Sequence, residues 1–463
     1  MKGLKKGCLA AAAAALLLAG SGAAVRAEEP LREAETEEQS GSLSDESLAE
    51  QGESLAVSMA EGSFEEAEAL FSQEMKAQLP AGTMKAVWEQ TVAGLGAYVD
   101  VYEVQESGGP AGDMVKVTLR YEQSGLNVLF TFTGGEISGL WLNYYNIPQE
   151  ASSGEGYQEQ EISIGEYELD GRLTLPEDAQ NPPVVILIQG SGQSDMNETV
   201  GEAGNAPFRD LALGLAERGI ATIRYNKRYY QYPEAAPADL TIQDEVLEDA
   251  AAAIAWAAEC GLVDENRIIV LGHSLGGMLA PAIAAENPRV SAMISLAGSP
   301  RKLEDIMIDQ NRDALENAGL SAEEVEEQME LVEAEAGRAR EAKEGGTDTV
   351  LGAPESYWYS LNQIDGAQLA LDLAVPMLFL QGEADFQVYA DTDFAMWQEL
   401  LEEKEQASFR LYEGLNHMFM PSSGKRDVTE YDAPAHVEEQ VIQDIADWID
   451  SLQASGKENV NNR

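Results

Sequence analysis

Hydrophobic positions change period twice along the chain. From Ser54 to Leu79 apolar residues recur at helical spacing (Leu55, Met59, Phe64, Ala67, Leu70, Phe71), and a second helical segment is expected over Met84 to Leu95. The period then falls to two. Tyr98 to Glu106, Met114 to Tyr121, Val128 to Phe132 and Ile137 to Leu142 are expected as antiparallel strands joined by Gly-containing turns. Helices followed by a meander predict a small α+β domain over residues 53–147, which holds no histidine or cysteine. A binding, spacer or folding role fits it better than a catalytic one.

Residues 148–160 have a linker's composition, and beyond them strands alternate with helices, as in a mostly parallel sheet covered on both faces. Glu161 to Leu175 predicts a leading hairpin turning near Asp170-Gly171. Val184 to Ile188 is a continuous apolar run, as a fully buried strand requires. Phe208 to Arg218 is expected as a helix, Ile220 to Tyr225 as a strand, Thr241 to Cys260 as a long helix, and Arg267 to Leu271 and Val290 to Leu296 as strands. The pattern breaks after Pro300, where Leu303 to Gly345 form an acidic helical insertion. It is either a solvated helical hairpin or, because it interrupts the sheet at the carboxyl ends of the strands, a cap (about 300–365) over an active site. Val375 to Gln381, Ser408 to Tyr412 and a helix from Ala433 to Leu452 complete a domain over 161–453, with a polar tail at 454–463 expected to be disordered.

Composition adds compartment and excludes partners. Lys2, Lys5 and Lys6, an apolar run from Leu9 to Ala19, and Val25-Arg26-Ala27 read as a secretory signal over residues 1–27, followed by an acidic, Ser-rich tether over 28–52. The apolar run is too short to span a bilayer, and Cys8 precedes it, whereas a lipid-bearing cysteine would follow it. An extracellular protein without a stable membrane anchor is expected. Net charge is −53, which disfavours nucleic acid and anionic membrane surfaces as partners. With the signal removed only Cys260 remains, so no intramolecular disulfide is expected.

The chemistry centres on Gly272-His273-Ser274-Leu275-Gly276, a G-x-S-x-G in a strand-to-helix turn. Such a turn projects the serine hydroxyl from the end of a sheet, making Ser274 the candidate nucleophile. A serine needs a histidine base oriented by a carboxylate. Of the three histidines, His273 adjoins the nucleophile and should point away from it, and His436 is expected early in the last helix. His417 follows the final strand at the carboxyl edge and is the candidate base. Asp385, in the turn Gly382-Glu383-Ala384-Asp385, is the candidate acid; Glu383, Asp391 and Asp393 compete with it. Backbone amides of Leu275 and of Ser191, in Gln189-Gly190-Ser191-Gly192, are the candidate oxyanion donors. Met278, Met293, Tyr357, Trp358 and Tyr359 either line an acyl pocket or belong to the core. No metal is expected, because three scattered histidines and one cysteine do not make a zinc site.

These residues add up to a resemblance. From Glu161 to Leu452 the chain resembles the α/β-hydrolase superfamily, in particular secreted bacterial esterases of the dienelactone-hydrolase-like and prolyl-oligopeptidase-like branch. Several of those carry a small N-terminal domain of unknown function, which Ser54 to Tyr145 resembles. Arg224-Tyr225-Asn226-Lys227-Arg228, Leu380 to Val388, and Asn416-His417 are typical of that group. Two departures stand out: Gln189 replaces a frequent histidine, and Asn226 replaces an aspartate. The resemblance implies an α/β-hydrolase fold and a cofactor-free hydrolase of small carboxylic esters. A peptidase or amidase using the same triad, and an extracellular binding protein on a decayed hydrolase fold, are the rivals. Acyl chain length and oligomeric state are not legible.

Overall fold

The computed structural model describes residues 47–461, except positions 80, 93–94, 110–111, 122–124, 146–152, 155 and 202. The expected secretory signal and most of the tether lie outside the described residues. The chain divides into two units, one ending at Gln149 and the other beginning at Glu150.

In the N-terminal unit the first helix, Leu48–Ala60, begins inside the segment expected to be a disordered tether. A capping box explains the early start: Ser47 Oγ accepts from the Glu50 amide at 3.2 Å, and the Glu50 carboxylate accepts from the Ser47 amide at 2.9 Å. The apolar period expected to run unbroken to Leu79 is divided into Leu48–Ala60, Glu65–Leu70 and Gln73–Gln78. Gly62, at φ +91°, ends the first of these. After the helix Ala81–Val92 come β1 (Tyr98–Gly109), β2 (Gly112–Tyr121), β3 (Gly125–Thr133) and β4 (Glu136–Tyr145), an antiparallel sheet in the order β1-β2-β3-β4. Val115, Val117 and Leu119 of β2 and Leu126, Val128 and Phe130 of β3 pack with Leu55, Met59, Phe64 and Trp88.

The C-terminal unit is built on nine strands in the order β15-β14-β11-β10-β8-β9-β7-β6-β5. They are β5 (Ser153–Gly154), β6 (Tyr157–Ile164), β7 (Leu169–Pro176), β8 (Val184–Ile188), β9 (Ala221–Tyr225), β10 (Ile268–His273), β11 (Val290–Leu296), β14 (Met377–Gly382) and β15 (Ala407–Tyr412). A separate ribbon, β12 (Thr349–Val350) with β13 (Ala353–Pro354), lies in the insertion. From β9 to β15 every neighbouring pair is parallel, while β5, β6 and β7 add an antiparallel edge.

The continuous apolar runs follow from burial on both faces. Val184, Ile186 and Ile188 of β8 enter one core with Ile268 and Val270 of β10. Val185 and Leu187 enter the opposite core with Ile269 and Leu271. The first core is closed by the helices Glu248–Glu259 and Leu275–Glu286, the second by Pro207–Ala216 and Glu439–Asn461. Each such side chain, fully buried, contributes about 1.5–3 kcal/mol.

Several expected boundaries move. β6 starts at Tyr157, within the expected linker. The hairpin does not turn at Asp170-Gly171, which lie in β7 opposite Ser163 and Ile162. Gly165 and Glu168, at φ +68° and +50°, make the reversal instead. Gly171 serves close approach: a Cβ there would lie 2.8 Å from the Arg224 carbonyl oxygen. The long helix expected from Thr241 has a wide π turn, Gln243–Leu247, before its regular part. The last helix begins at Glu439 and runs through the segment expected to be a disordered tail, to Asn461. His436 therefore precedes that helix; its side chain is exposed, with Nδ1 3.2 Å from Asp210.

Between β11 and β14 the insertion forms two long helices, Leu303–Asn317 and Ala322–Arg340, then the ribbon and Glu355–Asn362. Because β8, β10, β14 and β15 run parallel, the loops leaving their carboxyl ends share one edge of the sheet.

Candidate active site

Ser274 sits between β10 and the helix Leu275–Glu286 with φ +53° and ψ −114°. This is a strained conformation for a residue with a Cβ. Its amide donates to the Leu296 carbonyl at 2.9 Å. The flanking glycines permit the turn: a Cβ on Gly272 would lie 2.0 Å from the Gly276 carbonyl oxygen, and one on Gly276 2.4 Å from that of Ile188. The serine is thereby pressed against the end of β8 and the loop that follows it.

His417 and Asp385 come together from the loops after β15 and β14. His417 Nδ1 is 2.7 Å from Asp385 Oδ2, and both residues are buried. The carboxylate is further fixed by Gln381 Nε2 at 2.8 Å on Oδ2, and by the amides of Gln387 at 2.8 Å and Val388 at 3.0 Å on Oδ1. Buried Asn416 shapes the histidine loop, its Oδ1 accepting from the amides of Met418 at 3.0 Å and Met420 at 3.1 Å. The competing acid Asp393 is committed elsewhere, to Ser299 Oγ, Arg301 Nε at 2.7 Å and the Tyr389 amide at 2.8 Å.

Ser274 opens into a small cavity lined also by Ser191, Leu275, Met278, Ser299, Leu303, Ile306, Met307, Gln310, Gln387 and Val388. Both candidate oxyanion residues thus border the same space as the candidate nucleophile. The first helix of the insertion supplies Leu303, Ile306, Met307 and Gln310, so the insertion covers this cavity. Of the aromatic and Met residues considered for a pocket, only Met278 lines it. Met293, Tyr357 and Trp358 are core, because Glu355–Asn362 turns its aromatic face inward, with Trp358 Nε1 donating to the Val350 carbonyl at 2.7 Å.

The loop after β8 is held by charges that sequence reasoning did not assign to it. The Gly190 amide donates to Glu198 Oε1 at 2.6 Å and the Gly192 amide to Glu245 Oε1 at 3.1 Å. Buried Lys227 donates to the carbonyls of Gly190 at 2.6 Å and Gly192 at 2.8 Å, and to Glu245 at 2.7 Å. The amides on either side of Ser191 are therefore occupied by carboxylates. Gln189 anchors the loop's start through Nε2 to the carbonyls of Tyr225 and Asp195. Asn226 Oδ1 accepts from the Met196 amide at 2.9 Å. The Arg224 to Arg228 stretch carried a signal for Lys227; nothing marked Glu198 or Glu245, whose partners lie far away in sequence.

Arg224 is almost fully buried and pairs with Glu159 and Asn197. Burial lowers its pKa to about 10 against the opposing pull of Glu159. Arg228 is paired with Asp249 at 2.7 Å and stacks over Tyr167 at 4.0 Å. Among the described residues no group of three or more His, Cys, Asp or Glu side chains is placed to hold a metal ion.

Residues 182–332 match the family described as alpha/beta hydrolase fold, and residues 53–140 a protein family of unknown function, DUF3887. Over 392 residues the chain is 32% identical to esterase EstD of Thermotoga maritima, covering 83% of this chain and 91% of that protein. A shorter similarity, 30% over 115 residues, links it to the quorum-quenching protein AidA of Acinetobacter baumannii, covering 24% of this chain and 34% of that one. Among solved structures, Est1E from Butyrivibrio proteoclasticus matches with TM-score 0.40 and 16% identity, over 64% of this chain and 98% of Est1E.

Proposed function

The chain belongs to the α/β-hydrolase family, as a relative of the esterase EstD, and from that premise we propose that it is a serine esterase working through an acyl-enzyme on Ser274. The observation that carries the reading is the buried 2.7 Å contact of His417 Nδ1 with Oδ2 of Asp385, whose other oxygen is held by the amides of Gln387 and Val388, two residues lining the cavity that Ser274 opens into.

In this reading His417 Nε2 takes the proton from Ser274 Oγ as the oxygen attacks the ester carbonyl. The carbonyl electrons move onto oxygen, which the amides of Ser191 and Leu275 stabilise. His417 then protonates the departing alcohol, and water repeats the sequence to release the acid. Asp385 holds His417 with Nδ1 protonated, so that Nε2 is free to act as base. The Met278, Leu303, Ile306, Met307 and Val388 side chains make an apolar wall without charge, which suits a small neutral acyl group.

A fluorophosphonate probe, together with p-nitrophenyl esters of increasing chain length, tests the proposal in wild type and Ser274→Ala. Both labelling and turnover should appear in the wild type and vanish in the variant. Faster hydrolysis of aminoacyl or peptidyl anilides than of esters would favour an amidase. An inert wild type would favour a binding protein.

Export belongs to the same proposal. It rests on Lys2, Lys5 and Lys6 followed by the Leu9 to Ala19 run. Mass spectrometry of protein secreted by a bacterial host should find a chain beginning at Glu28; an uncleaved cytoplasmic chain would refute export.

A further inference from the structure

We propose that His273, held doubly protonated against Glu198, is a positioning residue that fixes the loop after β8 and the His417 loop relative to each other. The inference rests on the serine-esterase reading above. Its basis is the set of contacts around one buried imidazole. His273 Nδ1 is 3.0 Å from Glu198 Oε1, and Nε2 is 3.0 Å from the His417 carbonyl oxygen. Glu198 Oε1 also accepts the Gly190 amide at 2.6 Å. A single side chain pair therefore joins the residue next to Ser191 to the backbone of His417, starting from the position beside Ser274.

The proton count follows from the partners. A carbonyl oxygen offers only lone pairs, so Nε2 must carry a hydrogen. The carboxylate oxygen opposite Nδ1 already accepts one hydrogen, and a second contact at 3.0 Å requires another proton between the two atoms. Neutral imidazole has one N–H. The pair thus holds one proton more than a neutral histidine beside an ionised glutamate.

The surroundings favour keeping that proton. His273 and Glu198 are 4% and 6% exposed, and a lone charge there would be costly, whereas a paired one is compensated. The titratable groups facing His273 are Glu198, from the segment after β8, and His417 and Asp385, from the loops after β15 and β14. The other walls are apolar: Phe208, Leu296 and Phe419. Burial alone would push the imidazole down, but the charge and hydrogen bond of Glu198, the His417 carbonyl and Asp385 together hold it above its ordinary value.

Loss of the proton would set a nitrogen lone pair against an oxygen and loosen the two loops. Neither side chain lines the cavity that Ser274 opens into, so the effect should fall on kcat rather than KM.

The experiment is ¹⁵N NMR of imidazole-labelled full-length enzyme, in which only three histidines contribute and exposed His436 supplies the comparison. At pH 7 His273 should show two protonated nitrogens, and the extra proton should be gone in Glu198→Gln. That variant should lose about 10- to 100-fold in kcat with KM little changed, the size expected when reacting groups are misplaced by about 1 Å. Wild-type kcat should decline toward alkaline pH as His273 loses its proton, and that decline should flatten in Glu198→Gln. A neutral His273 at pH 7 in active wild type overturns the inference, and so does a Glu198→Gln enzyme with undiminished kcat. Should Glu198→Gln fail to fold, the wild-type spectrum decides alone. Wild type without any turnover would sink the esterase reading, while the spectrum would still decide the protonation.

Discussion

Gln310 Nε2, on the first helix of the insertion, donates to the backbone carbonyl of Gln387 at 2.8 Å, and the Gln387 amide donates to Asp385 at the same distance. The insertion is thus fastened to the turn that holds the candidate catalytic acid. Tyr389 Oη reinforces the joint by donating to Asp313 at 2.9 Å. Gln310→Ala should lower kcat by about fivefold, the equivalent of one hydrogen bond worth about 1 kcal/mol. Steady-state kinetics on p-nitrophenyl butyrate will check this; an unchanged kcat would mean that the cap and the acid turn are uncoupled.

Asp385 has rivals in the sequence, and substitution separates them. Asp385→Asn should reduce kcat by about 10⁴-fold, because the amide favours the wrong histidine tautomer. Glu383→Gln should leave it nearly unchanged. Circular dichroism of each variant guards against loss of fold, and equal losses in the two would remove Asp385 from the triad.

Lys227 holds two carbonyls of the loop after β8 and neutralises Glu245, whose side chain is only 12% exposed. Lys227→Met removes the bonds and leaves the glutamate without its cation. Stability should fall by about 3 kcal/mol, and kcat should fall by about 10²-fold as the Ser191 amide drifts. Urea unfolding and single-turnover acylation measure the two effects separately. A stability loss with normal acylation would show that the loop keeps its shape without the clamp.

If Ser274 forms an acyl-enzyme as proposed, the cavity's apolar wall should set an acyl limit. Ile306→Trp fills space beside Met307 and should cut turnover of hexanoate esters by about tenfold or more, while acetate esters are spared. A uniform loss across chain lengths would place the acyl group elsewhere.

His273 links stability to pH in a defined direction. Its folded-state value is raised, so its stabilising contribution is complete below the ordinary imidazole value of about 6.5 and is lost as pH rises through the folded-state value. The stability gap between wild type and His273→Gln should therefore be widest in mild acid and narrow toward alkaline pH. Melting temperatures across a pH series will show it, and a gap that widens with pH would contradict the raised value.

Much of the frame around the candidate site was legible because it is local. Gly272 to Gly276 prescribe a turn through steric contacts between neighbours in sequence, and the apolar runs of β8, β10, β11 and β14 announce strands buried on both faces. Ser274 and Asp385 could be chosen because each follows such a strand, and His417 because it follows the last, more exposed strand β15; parallel strands deliver their loops to one edge. The Leu48 helix start was misjudged by local reasoning, as was the turn at Asp170-Gly171. Composition suggested disorder or a reversal there, but capping and pairing with neighbouring elements decided otherwise.

The sequence by itself determined the mostly parallel α/β architecture and the chain order of Ser274, Asp385 and His417, since both depend on short-range periodicity and on which residue ends each strand. Only the tertiary structure decided what holds those residues in place. Glu198 on Gly190 and His273, Lys227 and Glu245 on the loop after β8, and Gln310 on Gln387 join residues on different elements, and no spacing along the chain encodes such contacts. They form where packing excludes water, so that each buried charge or amide must find its partner among whatever groups the fold has brought near.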